Sequence, residues 1–219
     1  MDDKEQLIAK YDRISSHYSE RYADPVAVAN GIVTLVRNWG ESIPPGSSVL
    51  ELGCADGFIT VELARAGFDV SAVDLSPKMV ENAAKRLADA GLEARIDVAD
   101  VEQLELTRDF DVVLGTMREL YFYIRNPRGL LGRLATRTRR KLLVDLNPRQ
   151  TDLALALADM RATGLSGVSW RGFFVPTRFR LGAVPAAVLR MAETAPIIRS
   201  AILRWKFIAI VKGERLGPD

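Results

Sequence analysis

The sequence is poor in the residues that build disulfide frameworks and metal sites. Its 219 residues include one cysteine, Cys54, and one histidine, His17. A lone cysteine cannot form an internal disulfide, which favours a reducing cytoplasm, and this composition offers no metal-ligand spacing. The chain also lacks an apolar run of the ~18 residues that a membrane helix needs, and its N-terminus lacks the apolar segment of a secretory signal. We therefore expect a cytoplasmic protein with no bound metal and no transmembrane segment.

The hydrophobic and charged content is that of an ordinary globular protein. Hydrophobic residues make up 48% and charged residues 26%, both near globular averages. The charge is uneven, because residues 1–109 hold 11 Lys/Arg and 20 Asp/Glu, whereas residues 110–219 hold 19 and 8. This asymmetry indicates either that the second half attracts an anionic partner or only that its helices are solvated by arginine.

Two helices are predicted before residue 45. Residues 4–22 place apolar and aromatic side chains at three- and four-residue steps, which predicts one amphipathic helix. Asp24 followed by Pro25 is a helix start, and it opens a second helix that runs to about Trp39. After Pro44-Pro45-Gly46, strands and helices alternate.

Short β-rich runs then alternate with helix-length segments. The predicted strands are 49–52, 69–73, 94–98, 110–114, 141–146, 167–175 and 205–212. The predicted helices between them start at Ser76-Pro77 and at Asn126-Pro127, the latter ending in Arg139-Arg140, and a third covers 151–163. This alternation predicts an α/β fold, with a mainly parallel sheet covered on both faces. Ligands bind such sheets at the carboxyl ends of the strands.

Acidic and glycine residues follow the first three predicted strands. Gly53 and Gly57 come directly after the first strand, which ends with Glu51-Leu52, and they allow a tight turn and close backbone approach to a ligand. Asp74 ends the second strand at the distance where an acid commonly binds ribose hydroxyls. Asp100 follows the third strand, where it can accept a hydrogen bond from an exocyclic amine such as that of adenine.

The acids favour a cationic nucleoside ligand over a dinucleotide. Phe58 occupies the third glycine position of a dinucleotide fingerprint, and Asp56 stands where the pyrophosphate would bind. Four carboxylates repel a pyrophosphate, but they suit a ligand with a sulfonium, an ammonium, a ribose and an adenine, which is S-adenosylmethionine (SAM). The alternative is that each acid is a helix cap or a solvated loop residue.

Four segments together resemble the motifs of class I SAM-dependent methyltransferases of the small-molecule type. They are VLELGCADGFIT (49–60), SAVDLSPKMVENAAKR (71–86), DVADVEQL (97–104) and FDVVLGTMRELYFYI (110–124). The resemblance implies a Rossmann-like, doubly wound, seven-stranded sheet. It also implies that SAM is bound by Glu51, Gly53, Cys54, Ala55, Asp56, Gly57, Asp74, Leu75, Asp100, Val101 and Thr116. Ala55 departs from the family's middle glycine, and Leu120-Tyr121 replaces a histidine often found after the fourth strand.

The N-terminal KYDRISSHYSERY (10–22) is similar to the lid helix of small-molecule members, which implies that Tyr18 and Tyr11 close over the cofactor. Packing of the helix on the sheet is the alternative, and we prefer it for Tyr22. We expect one domain over 1–219, comprising lid helices (1–42), a cofactor-binding core (45–146) and a substrate-side part (147–219) with a helical insertion at about 183–203.

The candidate catalytic residues are His17, Tyr121 and Arg118. His17 is a candidate general base for a hydroxyl or amine, and Tyr121 follows the fourth strand on the acceptor side. Arg118, or Arg178 or Arg180 in its place, would hold an anionic group of the substrate. The alternatives are a surface histidine and solvated arginines. Cys54 is better explained by packing than as a nucleophile.

The expected function is methylation of oxygen or nitrogen in an apolar or partly anionic small molecule. The insertion would cap the acceptor pocket, pair two subunits or touch a membrane surface, so the protein would be a monomer or a homodimer. An RNA-modifying methyltransferase is the first alternative, although the basic run 137–141 is expected at a helix C-terminus, which stabilises cations. A cofactor-binding protein without transferase activity is the second. Asp56 and Phe58 disfavour a nicotinamide oxidoreductase.

Overall fold

A computed structural model describes residues 3–118, 120–173 and 208–215. Its strands form a seven-stranded sheet in the order β3-β2-β1-β4-β5-β7-β6. The strands are β1 Ser48–Leu52, β2 Asp69–Asp74, β3 Arg95–Val98, β4 Phe110–Gly115, β5 Thr138–Leu146, β6 Ser166–Phe173 and β7 Ile208–Glu214. The α-helices are α1 Asp3–Ile14, α2 Pro25–Asn38, α3 Phe58–Arg65, α4 Pro77–Asp89, α5 Leu120–Tyr123, α6 Pro127–Thr136 and α7 Leu153–Ala162. The predicted α/β class with a mainly parallel sheet is confirmed.

The chain divides into two compact units, Met1–Thr107 and Arg108–Asp219. In the first unit β1 pairs with β2 and β2 with β3, all parallel. In the second unit β4 and β5 are parallel, and β7 runs antiparallel to both β5 and β6. Both units have apolar cores, because the central strands β1, β4 and β5 are buried along almost their whole length. Within each unit the parallel strands end at one edge, and the candidate residues lie at these ends.

Side-chain caps fix the helix starts that the sequence predicts. Asp24 accepts a hydrogen bond from the Ala27 amide at 2.9 Å. The Ser76 hydroxyl and the Asn126 side chain cap α4 and α6 in the same way, and each of the three caps is followed by proline. The chain therefore leaves β2 at a defined point, which places Asp74 just before α4.

The prediction of one continuous helix over 4–22 is wrong. The α-helix ends at Ile14, and two short 3₁₀ turns, Ser15–His17 and Ser19–Arg21, follow it. The Ser15 hydroxyl donates to the Asp12 carbonyl at 2.9 Å, and the Ser19 amide donates to the Asp56 carboxylate at 3.2 Å. Serine side chains compete with the helical hydrogen bonds, and the tertiary bond of Ser19 replaces one of them.

The prediction that the helix starting at Asn126-Pro127 ends at Arg139-Arg140 is also wrong. Helix α6 ends at Thr136, and β5 begins at Thr138, three residues earlier than predicted. Only Arg137 of the basic run 137–141 is therefore at the helix C-terminus, as the C-cap of α6, and residues 138–141 are strand. The Lys141 side chain is fully buried, and Arg137 pairs with Asp109 at 3.3 Å.

Some predictions fall on residues that the structure does not describe. Arg178, Arg180 and the insertion at about 183–203 all lie outside the described residues. The last two predicted strands are partly described, as β6 and β7. Within the described ranges, no helix combines the length and the apolar character needed to span a bilayer.

Candidate functional site

The turn after β1 has the backbone that the glycine motif predicts. Gly53, Ala55 and Gly57 all have positive φ, at 78°, 49° and 76°. The amides of Gly53 and Cys54 both donate to the carbonyl of Val73, at 2.8 and 3.1 Å. The turn is thus attached to the carboxyl end of β2. Cys54 is 2% exposed and burial raises the pKa of its thiol, so it is a packed neutral side chain.

Ala55 is a strained residue within this turn, because the left-handed region is unfavourable for any residue with a Cβ atom. We expect Ala55→Gly to stabilise the protein by about 0.5–1 kcal/mol, since the relief of strain outweighs the greater chain entropy of glycine. Urea unfolding measures the change. The matched control is Ala66→Gly, at φ −74° in the C-cap residue of α3, which should destabilise the protein. A destabilised Ala55→Gly variant would contradict the strain.

Asp74 joins the turn to the start of α4. One carboxylate oxygen accepts from the Ala55 amide at 2.8 Å, and the other accepts from the Ser76 amide at 2.9 Å. Burial raises the pKa of Asp74, and backbone hydrogen bonds from Ser76, Ala55 and Leu75 oppose that rise. The predicted ribose-binding acid therefore also orders the loops on both sides of it.

Glu51 and Gly57 brace helix α3, which follows the turn. Glu51 is fully buried and accepts a hydrogen bond from the Thr60 hydroxyl at 2.7 Å. Gly57 precedes the helix, and a Cβ built on it would lie 2.7 Å from the Cβ of Ala83 in α4. The close approach of the two helices therefore needs glycine at this position.

Asp56 anchors the N-terminal segment through an arginine that sequence reasoning missed. Its Oδ2 accepts from the Arg86 guanidinium at 2.7 Å and from the Ser19 amide at 3.2 Å. Arg86 also donates to the Asp56 carbonyl and to the Ser19 hydroxyl, each at 2.9 Å. Asp56 Oδ1 is buried and has no hydrogen-bond partner in the described part of the chain. Arg86 had no signal in the sequence beyond its place in the last turn of a helix.

Asp100 is held by a second residue that the sequence did not reveal. Lys4 of α1 contacts Asp100 at 2.5 Å and Glu102 at 2.8 Å, and these bonds raise the pKa of the lysine. The other Asp100 oxygen accepts from the Glu102 amide at 2.9 Å, across the half-buried Val101. The loop after β3 is thus tied to the start of the N-terminal helix.

The N-terminal segment, residues 3–22, contacts the loops after all three strands of the first unit. Besides the bonds to Asp56 and Asp100, Asp12 accepts from the Ser76 hydroxyl at 2.5 Å. The ring centroids of Tyr11 and Tyr18 lie 6.3 Å apart. Tyr22 packs on Phe58 at 5.1 Å, which agrees with the packing role preferred for it. His17 is exposed, and its Nδ1 lies 3.1 Å from the Ser16 hydroxyl.

These residues fit SAM by the chemistry of their polar atoms. The first unit presents carboxylates after consecutive parallel strands, and carboxylates accept hydrogen bonds from ribose hydroxyls, an exocyclic amine and an ammonium group. One of them, Asp56, has a buried oxygen without a partner among the described residues, as expected where a ligand supplies the donor. The glycine turn brings the backbone to the same strand ends.

The predicted cofactor contact Thr116 and the predicted acceptor-side residues Arg118 and Tyr121 lie in the second unit. Thr116 is half-buried directly after β4. Arg118 donates through Nε to Asp145 Oδ2 at 3.2 Å, and the Asn147 amide donates to the Arg118 carbonyl at 3.1 Å. The Tyr121 hydroxyl donates to Asp159 at 3.1 Å, and burial and that carboxylate both raise the pKa of the phenol. Tyr121 is therefore protonated at neutral pH, with its hydrogen donated to Asp159.

Asp145 is a buried acid that sequence reasoning missed. It is 4% exposed, and burial raises its pKa to about 6 although Arg118 opposes the rise. An acid whose pKa is higher in the folded state contributes stability at low pH and loses it as the pH rises through the folded pKa.

From pH 4 to pH 7 we therefore expect Asp145 to reduce the free energy of unfolding by about 2 kcal/mol, since one pKa unit corresponds to about 1.4 kcal/mol. An Asp145→Asn variant should lack this loss, so its stability relative to wild type should rise over that range. Urea unfolding at several pH values measures the difference. A difference that is constant with pH would contradict the elevated pKa.

The sequence is similar to those of known methyltransferases. Residues 49–141 match the family model described as a methyltransferase domain. The chain is 32% identical over 153 residues to a ubiquinone biosynthesis O-methyltransferase of Xanthomonas oryzae pv. oryzae (strain PXO99A), which covers 68% of this chain and 62% of the relative. The chain thus spans less than two thirds of the length of that relative.

Solved structures share the fold. Magnesium protoporphyrin IX methyltransferase from Synechocystis PCC 6803, determined with bound SAM, aligns with a TM-score of 0.72 at 19% identity, covering 99% of this chain and 98% of that one. A (4+2)-cyclase aligns with a TM-score of 0.62 at 16% identity, covering 87% of this chain and 81% of the cyclase. Likenesses at this identity establish the fold alone.

The fold and the strand-end acids define a Rossmann-like nucleoside-binding domain. The sequence matches identify its class and confirm the resemblance: the chain carries a class I SAM-dependent methyltransferase domain. SAM is the cofactor of that class, as the motifs predict.

Proposed function

We propose that this protein transfers the methyl group of SAM to a hydroxyl oxygen of a small-molecule acceptor. The observation that carries the proposal is the likeness in sequence to a relative named as an O-methyltransferase. The acceptor we propose is an apolar or partly anionic metabolite, methylated in the cytoplasm by a monomer or a homodimer.

The residues of the first unit would bind and orient the cofactor. Asp74 would accept hydrogen bonds from the ribose hydroxyls, and Asp100, with the Val101 backbone beside it, would receive the adenine amine. Tyr11 and Tyr18 would cover the cofactor and exclude water. SAM supplies a methyl group that is already activated on a sulfonium, so the protein mainly positions the reactants.

Thr116 would lie beside the methionine part of the cofactor, and Arg118 and Tyr121 would face the acceptor. Tyr121 donates its single hydrogen to Asp159, so its hydroxyl oxygen would accept a hydrogen bond from the acceptor. Arg118 already pairs with Asp145, which offsets its charge and makes a polar neutral group a better partner for it than an anion. His17 stays a candidate base, exposed in the N-terminal segment.

One basic stretch of the second half, the run 137–141, gives less support to an RNA substrate than its charge suggests. In the run 137–141, Lys141 is buried and Arg137 and Arg139 both lie near Asp109, at 3.3 and 4.0 Å. Phosphate binding needs exposed cations whose charge is not already compensated. A small-molecule acceptor therefore agrees better with the described part of this run.

A panel of acceptors tests the proposal. Phenols, catechols, alcohols and primary amines are incubated with the protein and methyl-labelled SAM, and mass spectrometry locates the label. We expect label on oxygen of at least one phenol or alcohol. Label on nitrogen only, or none while SAM binds, would contradict the proposal, and the second outcome would favour a cofactor-binding protein without transferase activity.

A further inference from the structure

Asp145 is a buried carboxylate of the second unit to which the proposed function assigns no role. It is the penultimate residue of β5, so it lies near the strand end at which ligands bind in parallel sheets. Its side chain is 4% exposed. One oxygen, Oδ2, accepts from Arg118 at 3.2 Å, whereas Oδ1 is buried with no hydrogen-bond partner in residues 3–118, 120–173 and 208–215.

A buried carboxylate oxygen without a donor is rare, because burial removes water and nothing replaces it. In folded proteins such an oxygen commonly faces a bound water, a bound ligand or a reacting group. Asp145 also has the arrangement of an oriented base, since one oxygen is fixed by a third group and the other is left for a reacting proton. The backbone bond from Asn147 to Arg118 joins the loops after β4 and β5 around this pair.

We propose that Asp145 is the acceptor-binding base of this protein, with Oδ1 accepting a hydrogen bond from the acceptor hydroxyl and then taking its proton while Arg118 fixes Oδ2. This inference rests on the proposed function. The proton passes from the hydroxyl to Oδ1, the hydroxyl oxygen forms the bond to the methyl carbon, and the electron pair of the broken carbon–sulfur bond stays on sulfur as a thioether. The proton leaves Asp145 to water afterwards.

The surroundings of Asp145 support this role. A pKa of about 6 leaves the carboxylate ionised at neutral pH yet basic enough to accept a proton, which suits a general base. Arg118 is the charged group that faces it from the loop after β4. On β7, Ile210 is its partner in register, and Lys212 lies two residues further along, paired with Glu214 at 2.7 Å.

Along β5 itself, Lys141 lies four residues before Asp145 on the same face, about 13 Å away along the strand. On α7, the Asp159 carboxylate accepts from Tyr121. Neither group contributes to the pKa shift of Asp145, which burial and Arg118 determine. A single titration near pH 6 is therefore the expected signature of this acid.

Asp145→Asn tests the inference, with catechol as the probe hydroxyl acceptor. The first measurement is the pH dependence of kcat/KM. Wild type should rise up to about pH 6 and level off above it, whereas the variant should lose that inflection and fall about 100-fold at pH 7.5. The control is Asp109→Asn, which removes a carboxylate that is 42% exposed in the same unit and should leave the profile unchanged.

The second measurement needs no turnover. Calorimetry of catechol binding to the protein saturated with S-adenosylhomocysteine should show about tenfold weaker binding by Asp145→Asn, because a hydrogen bond to a charged group is lost. A cooperative thermal transition and unchanged binding of S-adenosylhomocysteine would show that the variant is folded.

The two measurements separate this inference from the proposed function. If wild type methylates no hydroxyl but binds catechol in an Asp145-dependent way, the proposed function fails and the binding site stands. Equal catechol binding and an unchanged inflection in Asp145→Asn would mean that Oδ1 holds an ordered water only, and would overturn the inference. Catechol that does not bind wild type would overturn it as well.

Discussion

Asp74→Ala will lose most of its affinity for SAM, by about 100-fold. The carboxylate accepts the Ala55 and Ser76 amides, so its removal leaves two loop amides without their partner as well as removing the proposed ribose contact. Each lost hydrogen bond to a charged group costs about 1.5–3 kcal/mol, so the loss of one such bond to the ribose is enough for a 100-fold decrease in affinity.

Thermal unfolding measures this loss. At a SAM concentration 100 times its dissociation constant, wild type should gain about 2.7 kcal/mol, which raises Tm by about 5–10 °C for a chain of this size. The Asp74→Ala variant should gain about 1 °C or less under the same conditions. Asp69→Ala is the matched control, since Asp69 begins the same strand at the opposite end and is exposed. Equal Tm shifts in wild type and Asp74→Ala would contradict the assigned role.

Gly57→Ala will destabilise the fold by about 3 kcal/mol or more. The new Cβ would lie 2.7 Å from the Cβ and 2.8 Å from the Cα of Ala83, and backbone atoms of a packed helix cannot move aside easily. Overpacking of this kind costs about 1–3 kcal/mol, and a φ of 76° adds about 1–2 kcal/mol for a residue other than glycine.

Gly46→Ala separates the two contributions. Gly46 has nearly the same backbone, at φ 83°, but open space surrounds its Cβ position, so only the backbone term of about 1–2 kcal/mol applies. Urea unfolding of both variants gives the difference. If Gly57→Ala were no less stable than Gly46→Ala, the close contact of the turn with α4 would be disproved.

The sequence predicted the parts of the fold whose signals are local. Three capped helix starts, at Asp24, Ser76 and Asn126, each combine a capping side chain with a following proline, and all three are present. The positive φ values at Gly53 and Gly57 follow from glycine at a tight turn. The class of fold followed from the alternation of such local elements.

The errors in the fold came from tertiary contacts that override local patterns. The apolar spacing of residues 4–22 continues past Ile14, but the Ser19 amide bonds to Asp56, which lies 37 residues away. The basic residues Arg139 and Arg140 were predicted to end a helix, yet they belong to β5, in which Thr138 and Lys141 pair with β4. Neither contact leaves a trace in the local sequence.

The residues of the candidate site that lie within the sequence motifs were predictable, whereas their partners were not. A family motif marks Asp74 and Asp100, whereas Lys4, Arg86 and Asp145 act through partners far away in the chain. An arginine or a lysine on a helix is most often solvated, so only the folded structure shows which one pairs with a buried acid. The Asp145 carboxylate likewise lies in an ordinary strand pattern.

Calorimetric titration of the purified wild-type protein with SAM and with S-adenosylhomocysteine tests the central claim most directly. The account predicts saturable binding of both ligands, with dissociation constants in the micromolar range and one site per chain. The absence of binding by either ligand, in a protein that unfolds cooperatively, would contradict the assignment of the strand-end acids to SAM and with it the proposed methyl transfer.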